Sequence, residues 1–445
     1  MASRPLALAS LAVLFPLAVF AAAPAALQQA VTAQVNADYP ALEKIYLDLH
    51  AHPELSFQET RTAGLVAAEL RALGYEVTEK VGNTGVVGVL RNGAGPTVLI
   101  RADMDALPVK EDTGLPYASR VVTKDLAGKE QPAMHACAHD AHVTGLIGTA
   151  RVMAAQKAHW AGTLVLVAQP AEEIGAGARA MLMDGLYAKF PRPDQVIALH
   201  VGGDLAAGTI ATLEGPSYAN VDSLDITVRG LGGHGARPHS TRDPIVLSAQ
   251  IITALQTIVS RELKPGTPAV VTVGSIQGGT KHNIIPAEVK LQLTLRSYNE
   301  EVANHLIASI KRICENTARA AGVPENLLPV VTVFGSRTPL TYNDPALTRR
   351  VDAALRQWFP AERFVAGEAA TYGEDFSEYG RTQPKVPITI FWVGGSDPAK
   401  IAAAQASGQL LPSNHSPLWA PVPEPTLKTS VTALSAAALD LLAKK

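Results

Sequence analysis

Three apolar runs in this chain each stop at residues that can do chemistry. Residues 97–101 lead into Asp103 and Asp105, residues 163–168 into Glu172 and Glu173, and residues 195–199 into His200. Runs of this length, bounded by turns, read as buried strands. Helical periodicity at 59–73, 141–155 and 177–184 alternates with them. Strands alternating with helices require an α/β sheet covered by helices on both faces. In a parallel sheet of that kind, ligands bind at the carboxyl ends of the strands. The polar residues that close the runs are therefore expected to meet along one edge.

Two further segments add to that edge. The loop 134–140 carries Cys137 and His139 just before a helix, and segment 413–417, beyond a strand expected at 387–393, carries His415. Taken singly, these residues say little. A Glu-Glu pair is usually solvated, a loop histidine is usually hydrogen-bonded, and Cys-x-His supplies too few ligands for a metal site. Together, Cys137, His139, Glu173, His200 and His415 form a transition-metal donor set of thiolate, imidazole and carboxylate. They exceed one tetrahedral site and suit two divalent ions about 3.5–4 Å apart that share a bridging ligand and a water. Adjacent side chains at a strand end point different ways, so Glu172 is left to face that water as general base and then to serve a leaving amine. This chemistry is hydrolysis, not redox. Two other readings stand beside it. A single structural zinc at Cys137 and His139 leaves the remaining donors unexplained, and a binding protein that has lost catalysis sits poorly with a complete set.

Near Tyr218 the pattern changes. Strands at 221–229, 269–276, 288–297 and 328–333 alternate apolar and polar residues, and two long helices are expected at 244–262 and 300–321. Such a sheet has one face covered by helices. Residues 219–333 thus read as an inserted α+β domain dividing a catalytic domain into 26–218 and 334–445. Residues 1–25 have a basic start, an apolar stretch and an alanine-rich end. That is the pattern of an export signal, so the mature protein is expected to be periplasmic or secreted, with no stable membrane span. A polar linker and a helix at 39–49 should follow. The formal net charge of −2 offers no footprint for nucleic acid. Two cysteines cannot make a disulfide framework. Cys314, on a helical pattern, is expected to be a buried spectator, and Cys137 a metal-held thiolate. His50 and His52 follow a helix, not a first barrel strand, and read as structural.

An ordered set of motifs then carries a resemblance. It runs through His50-Ala51-His52-Pro53-Glu54-Leu55, Arg101-Ala102-Asp103-Met104-Asp105, His135-Ala136-Cys137-Ala138-His139-Asp140 and Gln169-Pro170-Ala171-Glu172-Glu173. It continues with Gly232-Gly233-His234-Gly235, His282-Asn283-Ile284-Ile285-Pro286, Gly373-Glu374-Asp375-Phe376 and Asn414-His415-Ser416-Pro417. In these segments the chain resembles the aminoacylase/carboxypeptidase family of di-metal peptidases, in its amidohydrolase subgroup of hippurate, auxin-conjugate and N-acyl-amino-acid hydrolases. The resemblance implies two divalent ions per subunit (Zn, Mn, Co or Ni) and a small-molecule substrate, an N-acyl amino acid or short peptide with a free carboxylate. It implies Glu172 as base and Asp103 as a carboxylate that orients ligands. The inserted domain would form a homodimer and lend His234, Asn283 and Arg296 to the substrate. One departure is local: the family often has glycine where this chain has Ala138 and Ala141.

Overall fold

The computed structural model describes residues 24–444. The export segment expected at 1–25 lies outside them, except for its last two positions. Where a polar linker was expected, a 27-residue helix, α1 (Ala25–Ala51), begins at once. Leu27, Val31 and Val35, then Leu42, Tyr46 and Leu49, recur every three or four residues and are buried. That spacing is one face of a helix; the alanines and glutamines between them make it read as linker. Helix α2 (Thr60–Ala72) follows and is stopped at Gly74, whose φ is +82°.

The main sheet has eight strands: β1 (Glu76–Val81), β2 (Gly85–Asn92), β3 (Thr97–Asp103), β4 (Gly162–Gln169), β5 (Gln195–Ala206), β6 (Ile210–Thr212), β7 (Phe364–Ala366) and β8 (Ile388–Ser396). Their spatial order is β1-β2-β4-β3-β5-β8-β6-β7. The central four, β4, β3, β5 and β8, are mutually parallel. Strands β1, β2 and β6 run antiparallel to their inner neighbours. Central strands buried on both faces must be apolar throughout, and β8 is buried at all nine positions. Helices α1, α2, α3 (His139–Ala155) and α4 (Pro423–Leu441) supply one covering layer. The opposite face packs Val87, Leu99, Val165 and Val167 against Phe376 and Tyr379.

Strand β5 was expected to end at His200 but runs on to Ala206. Its pairing with β3 ends at Arg101–Ala198, so His200 still lies just past the edge that β3 leaves open. The second sheet has the order Ala269–Gly278, Glu288–Ser297, Asn220–Arg229, Val330–Thr338 and is antiparallel throughout. Helices Pro244–Thr257 and Glu300–Ala320 pack on it around Leu224, Ile226, Leu291 and Ile310. The first of these was expected to reach 262; its last turn, Ile258–Glu262, is π-helical instead. The final strand of this sheet extends to Thr338, past the boundary expected at 333. Helix Pro398–Ser407 was not anticipated. No helix of the described residues is long and apolar enough to cross a membrane.

Candidate metal centre

Two histidines enter the site with their orientation already fixed. His139 opens α3 and gives its Nδ1–H to the carbonyl of Asp105 at 2.8 Å. His200 gives its Nδ1–H to the carbonyl of Val201 at 3.0 Å. Each therefore turns Nε2 into the cluster, the arrangement by which a backbone carbonyl presents an imidazole to a metal. His200 Nε2 lies 3.5 Å from Cys137 Sγ. His139 Nε2 lies 3.8 Å from Glu173 Oε1, and among the described residues neither atom has a hydrogen-bond partner although both are buried. Buried polar atoms without partners are rare and call for an explanation. His415 Nε2 stands 3.5 Å from Glu173 Oε2, with its side chain 54% exposed. The donor atoms of Cys137, His139 and His200 lie within 4.8 Å of one another, as do those of Cys137, Glu173 and His415. Two triplets thus meet at the sulfur.

The electrostatics ask for positive charge. Burial, and then Glu374 and Glu173, push the Glu172 carboxyl well up. Burial raises Glu173 to about 8, against the pull of His139. Burial and Glu173 also drive the Cys137 thiol upward. Asp103, Asp105, Glu374 and Asp375 are buried beside them. Arg101, fully buried, pairs with Asp103 at 2.6 Å, Glu374 at 2.8 Å and Asp375 at 3.2 Å. One guanidinium cannot balance so many buried carboxylates, and an unpaired buried charge is costly. Divalent cations would neutralise the excess and turn the thiol into a thiolate. The donor set and the unpaired atoms both fit them.

Residues 99–407 match the family model of peptidase family M20/M25/M40. The chain belongs to that family. It is 37% identical over 350 residues to thermostable carboxypeptidase 1 of Saccharolobus solfataricus, covering 78% of this chain and 84% of that one. It is 42% identical over 279 residues to the hippurate hydrolase of Campylobacter jejuni, covering 62% of this chain and 70% of that one. Among solved structures, a Bacillus subtilis protein described as a dinuclear metal-binding peptidase of the M20 family superposes with a TM-score of 0.73 at 30% identity. That match covers 92% of this chain and 99% of the other.

In this M20 protein the loops that carry the candidate ligands are held by residues to which the sequence reading gave no role. Asp105 accepts the backbone N–H groups of Glu172 and Glu173, each at 3.0 Å, and so sets the turn that splays the two side chains. Glu59 accepts the N–H of Ala171 just upstream, at 2.9 Å. His142 gives Nδ1–H to Asp103 at 2.6 Å and accepts the N–H of Val201 at 2.8 Å, which locks β3 to β5 beside His200. Asn414 donates to the carbonyl of Val201 at 3.0 Å and accepts the N–H of Gly203 at 2.8 Å, seating the loop of His415. Asp103 Oδ2 itself sits 3.5 Å from His139 Nε2, while the other ring nitrogen is held by the Asp105 carbonyl. Ala138, Ala171 and His415 are left-handed, with φ of +68°, +51° and +68°. Backbone strain of this kind gathers at functional sites.

The three residues expected from the inserted domain make contacts of their own. His234 and Asn283 are exposed and share a short ribbon, with His234 opposite Ile284 and Gly235 N–H bonded to the Asn283 carbonyl at 2.9 Å. Arg296 lies on Glu288–Ser297 and bonds within its own strand, to the Leu295 carbonyl at 2.9 Å. Among the described residues, no hydrogen bond or ion pair joins them to the candidate ligands.

Proposed function

We propose that the chain is an exported two-metal amide hydrolase that cleaves the N-acyl bond of an amino-acid conjugate or a short peptide bearing a free carboxylate. The observation that carries this reading is the convergence of buried donor atoms: among the described residues His139 Nε2 and Glu173 Oε1 have no hydrogen-bond partner, and they lie 3.8 Å apart beside Cys137 and His200. Cys137, His139, Glu173, His200 and His415 would hold the ions; Zn, Co and Ni suit those donors and Mn is compatible with the family. Bound there, such ions supply Lewis acidity and a water that ionises near neutral pH. Glu172 does the proton work. Its backbone is pinned by Asp105, and its Oε1 accepts the Asp375 N–H at 3.4 Å. From that position it takes the proton of the attacking water and gives it to the departing nitrogen. Arg296, His234 and Asn283 would receive the substrate carboxylate and the oxyanion, as charge-assisted donors do. The names of the relatives, a carboxypeptidase and a hippurate hydrolase, support this substrate class.

Metal analysis of purified protein should find about two ions per chain. Glu172→Gln should keep both while turnover falls about 10²–10⁴-fold. A chain with one ion or none, or a fully active Glu172→Gln variant, rejects the reading. The export signal predicts a mature amino terminus between residues 21 and 26, which amino-terminal sequencing of the secreted or periplasmic protein reads directly. We also propose a homodimer built through the inserted domain.

A further inference from the structure

His50 lies at the end of α1, outside the ligand set, yet its ring is fully buried between two carboxylates. Its Nδ1 is 2.6 Å from Asp140 Oδ2 and its Nε2 is 3.1 Å from Glu111 Oε1, with all three side chains at 0% exposure. A ring that meets a carboxylate at each nitrogen must donate from both, so it is an imidazolium. Burial alone lowers its pKa, but the two carboxylates outweigh it and hold the group at about 9. Tyr117 closes over the ring edge-on, with centroids 5.2 Å apart, and Tyr46 lies 5.7 Å away.

Each carboxylate leads to a different metal ligand. Asp140 is the residue after His139, in the first turn of α3. Glu111 also accepts the Ser119 N–H at 2.6 Å, which folds the loop between β3 and Cys137 back on itself. The next residue, Asp112, gives its N–H to the carbonyl of Pro417 at 2.8 Å, two residues beyond His415. His415 is half exposed and left-handed, so it needs such a hold.

We propose that His50 is a positioning residue for the metal centre: it ties the head of α3, which carries His139, to the loop that steadies His415. This rests on the two-metal reading above. No other side chain of this size offers two opposed N–H donors to two buried carboxylates. Glutamine offers one donor nitrogen, and leaves the other carboxylate uncompensated.

The experiment titrates the purified full-length protein with zinc against a chromophoric chelator. His50→Gln and Glu111→Gln are each expected to weaken the more loosely held ion about tenfold or more, the range seen when support behind a ligand is lost. Leu70→Val, in the buried core of α2, is the control for lost stability without lost positioning. It should lower the melting temperature and leave both affinities intact. Wild-type affinity in a folded His50→Gln or Glu111→Gln protein overturns the proposal, as does an equal loss in Leu70→Val. Should His50→Gln not fold, Glu111→Gln decides alone, since it keeps the Asp140 contact. If the wild type loads a single ion, the two-metal reading fails, and the fate of His50 is decided by whether that one affinity falls in the variants.

Discussion

The loops that carry the candidate ligands use L-residues where glycine would be easier. Ala138 sits left-handed between Cys137 and His139, at the N-cap of α3. A side chain in that conformation costs about 1–2 kcal/mol, while glycine loses about 0.5–1 kcal/mol more entropy on folding. The difference favours glycine, so Ala138→Gly should stabilise the protein by about 0.5–1 kcal/mol. Denaturant unfolding measures it, and a loss of stability would show that the methyl packs usefully beside the ligands. The family habit of glycine here was legible in the sequence as a departure; the strain that explains it was not, because φ has no signature in an Ala-x-x spacing. The grouping of the candidate donors was legible, since Cys137, His139, Glu173, His200 and His415, placed at strand ends and in adjoining loops, do come together. Their supports were harder to see. The Asp105 carbonyl that orients His139 is backbone, and any residue could have supplied it. Arg101, the last residue of the run read at 97–101, is buried among three carboxylates.

At the scale of elements, α3 lies so close to its neighbours that one position tolerates no side chain. A Cβ on Gly148 would come 2.3 Å from Val431 Cγ2 in α4 and 3.0 Å from Leu42 Cδ1 in α1. Replacing a mid-helix glycine by alanine normally gains about 1 kcal/mol. Overpacking a close contact costs about 1–3 kcal/mol. The clash wins, so Gly148→Ala should destabilise the protein by up to about 2 kcal/mol. A more stable variant in thermal unfolding would mean that α4 can step back. The strong periodic helices and the apolar strands were found from sequence to within a few residues. Two misses share a cause: α1 before residue 39 and helix Pro398–Ser407 are rich in alanine, which forms helices without itself marking a face. The π-helical turn at Ile258–Glu262 keeps a helical composition and changes only its hydrogen bonding.

The whole molecule is divided in two by its insertion. Strand Ala269–Gly278 forms the outer edge of the inserted sheet, paired on one side only, with Val270 and Ile276 exposed at 38% and 54%. A ten-residue open edge invites a partner strand. The proposed dimer should therefore be sensitive there: Ile276→Lys is expected to shift sedimentation velocity from dimer toward monomer. A monomeric wild type, or an unaffected dimer, would place the contact elsewhere.

The position of β8 has a consequence for how the protein is made. It lies between β5 and β6, which follow one another in the chain, and it is synthesised some 180 residues after them. Until it arrives, the apolar length of β5 has an open side, and His415, later still, is missing from the proposed ligand set. A ribosome releasing this chain from its amino terminus cannot complete the sheet or the metal centre early. Folding has to wait for nearly the last helix, and the unfinished half needs guarding from other strands in the meantime.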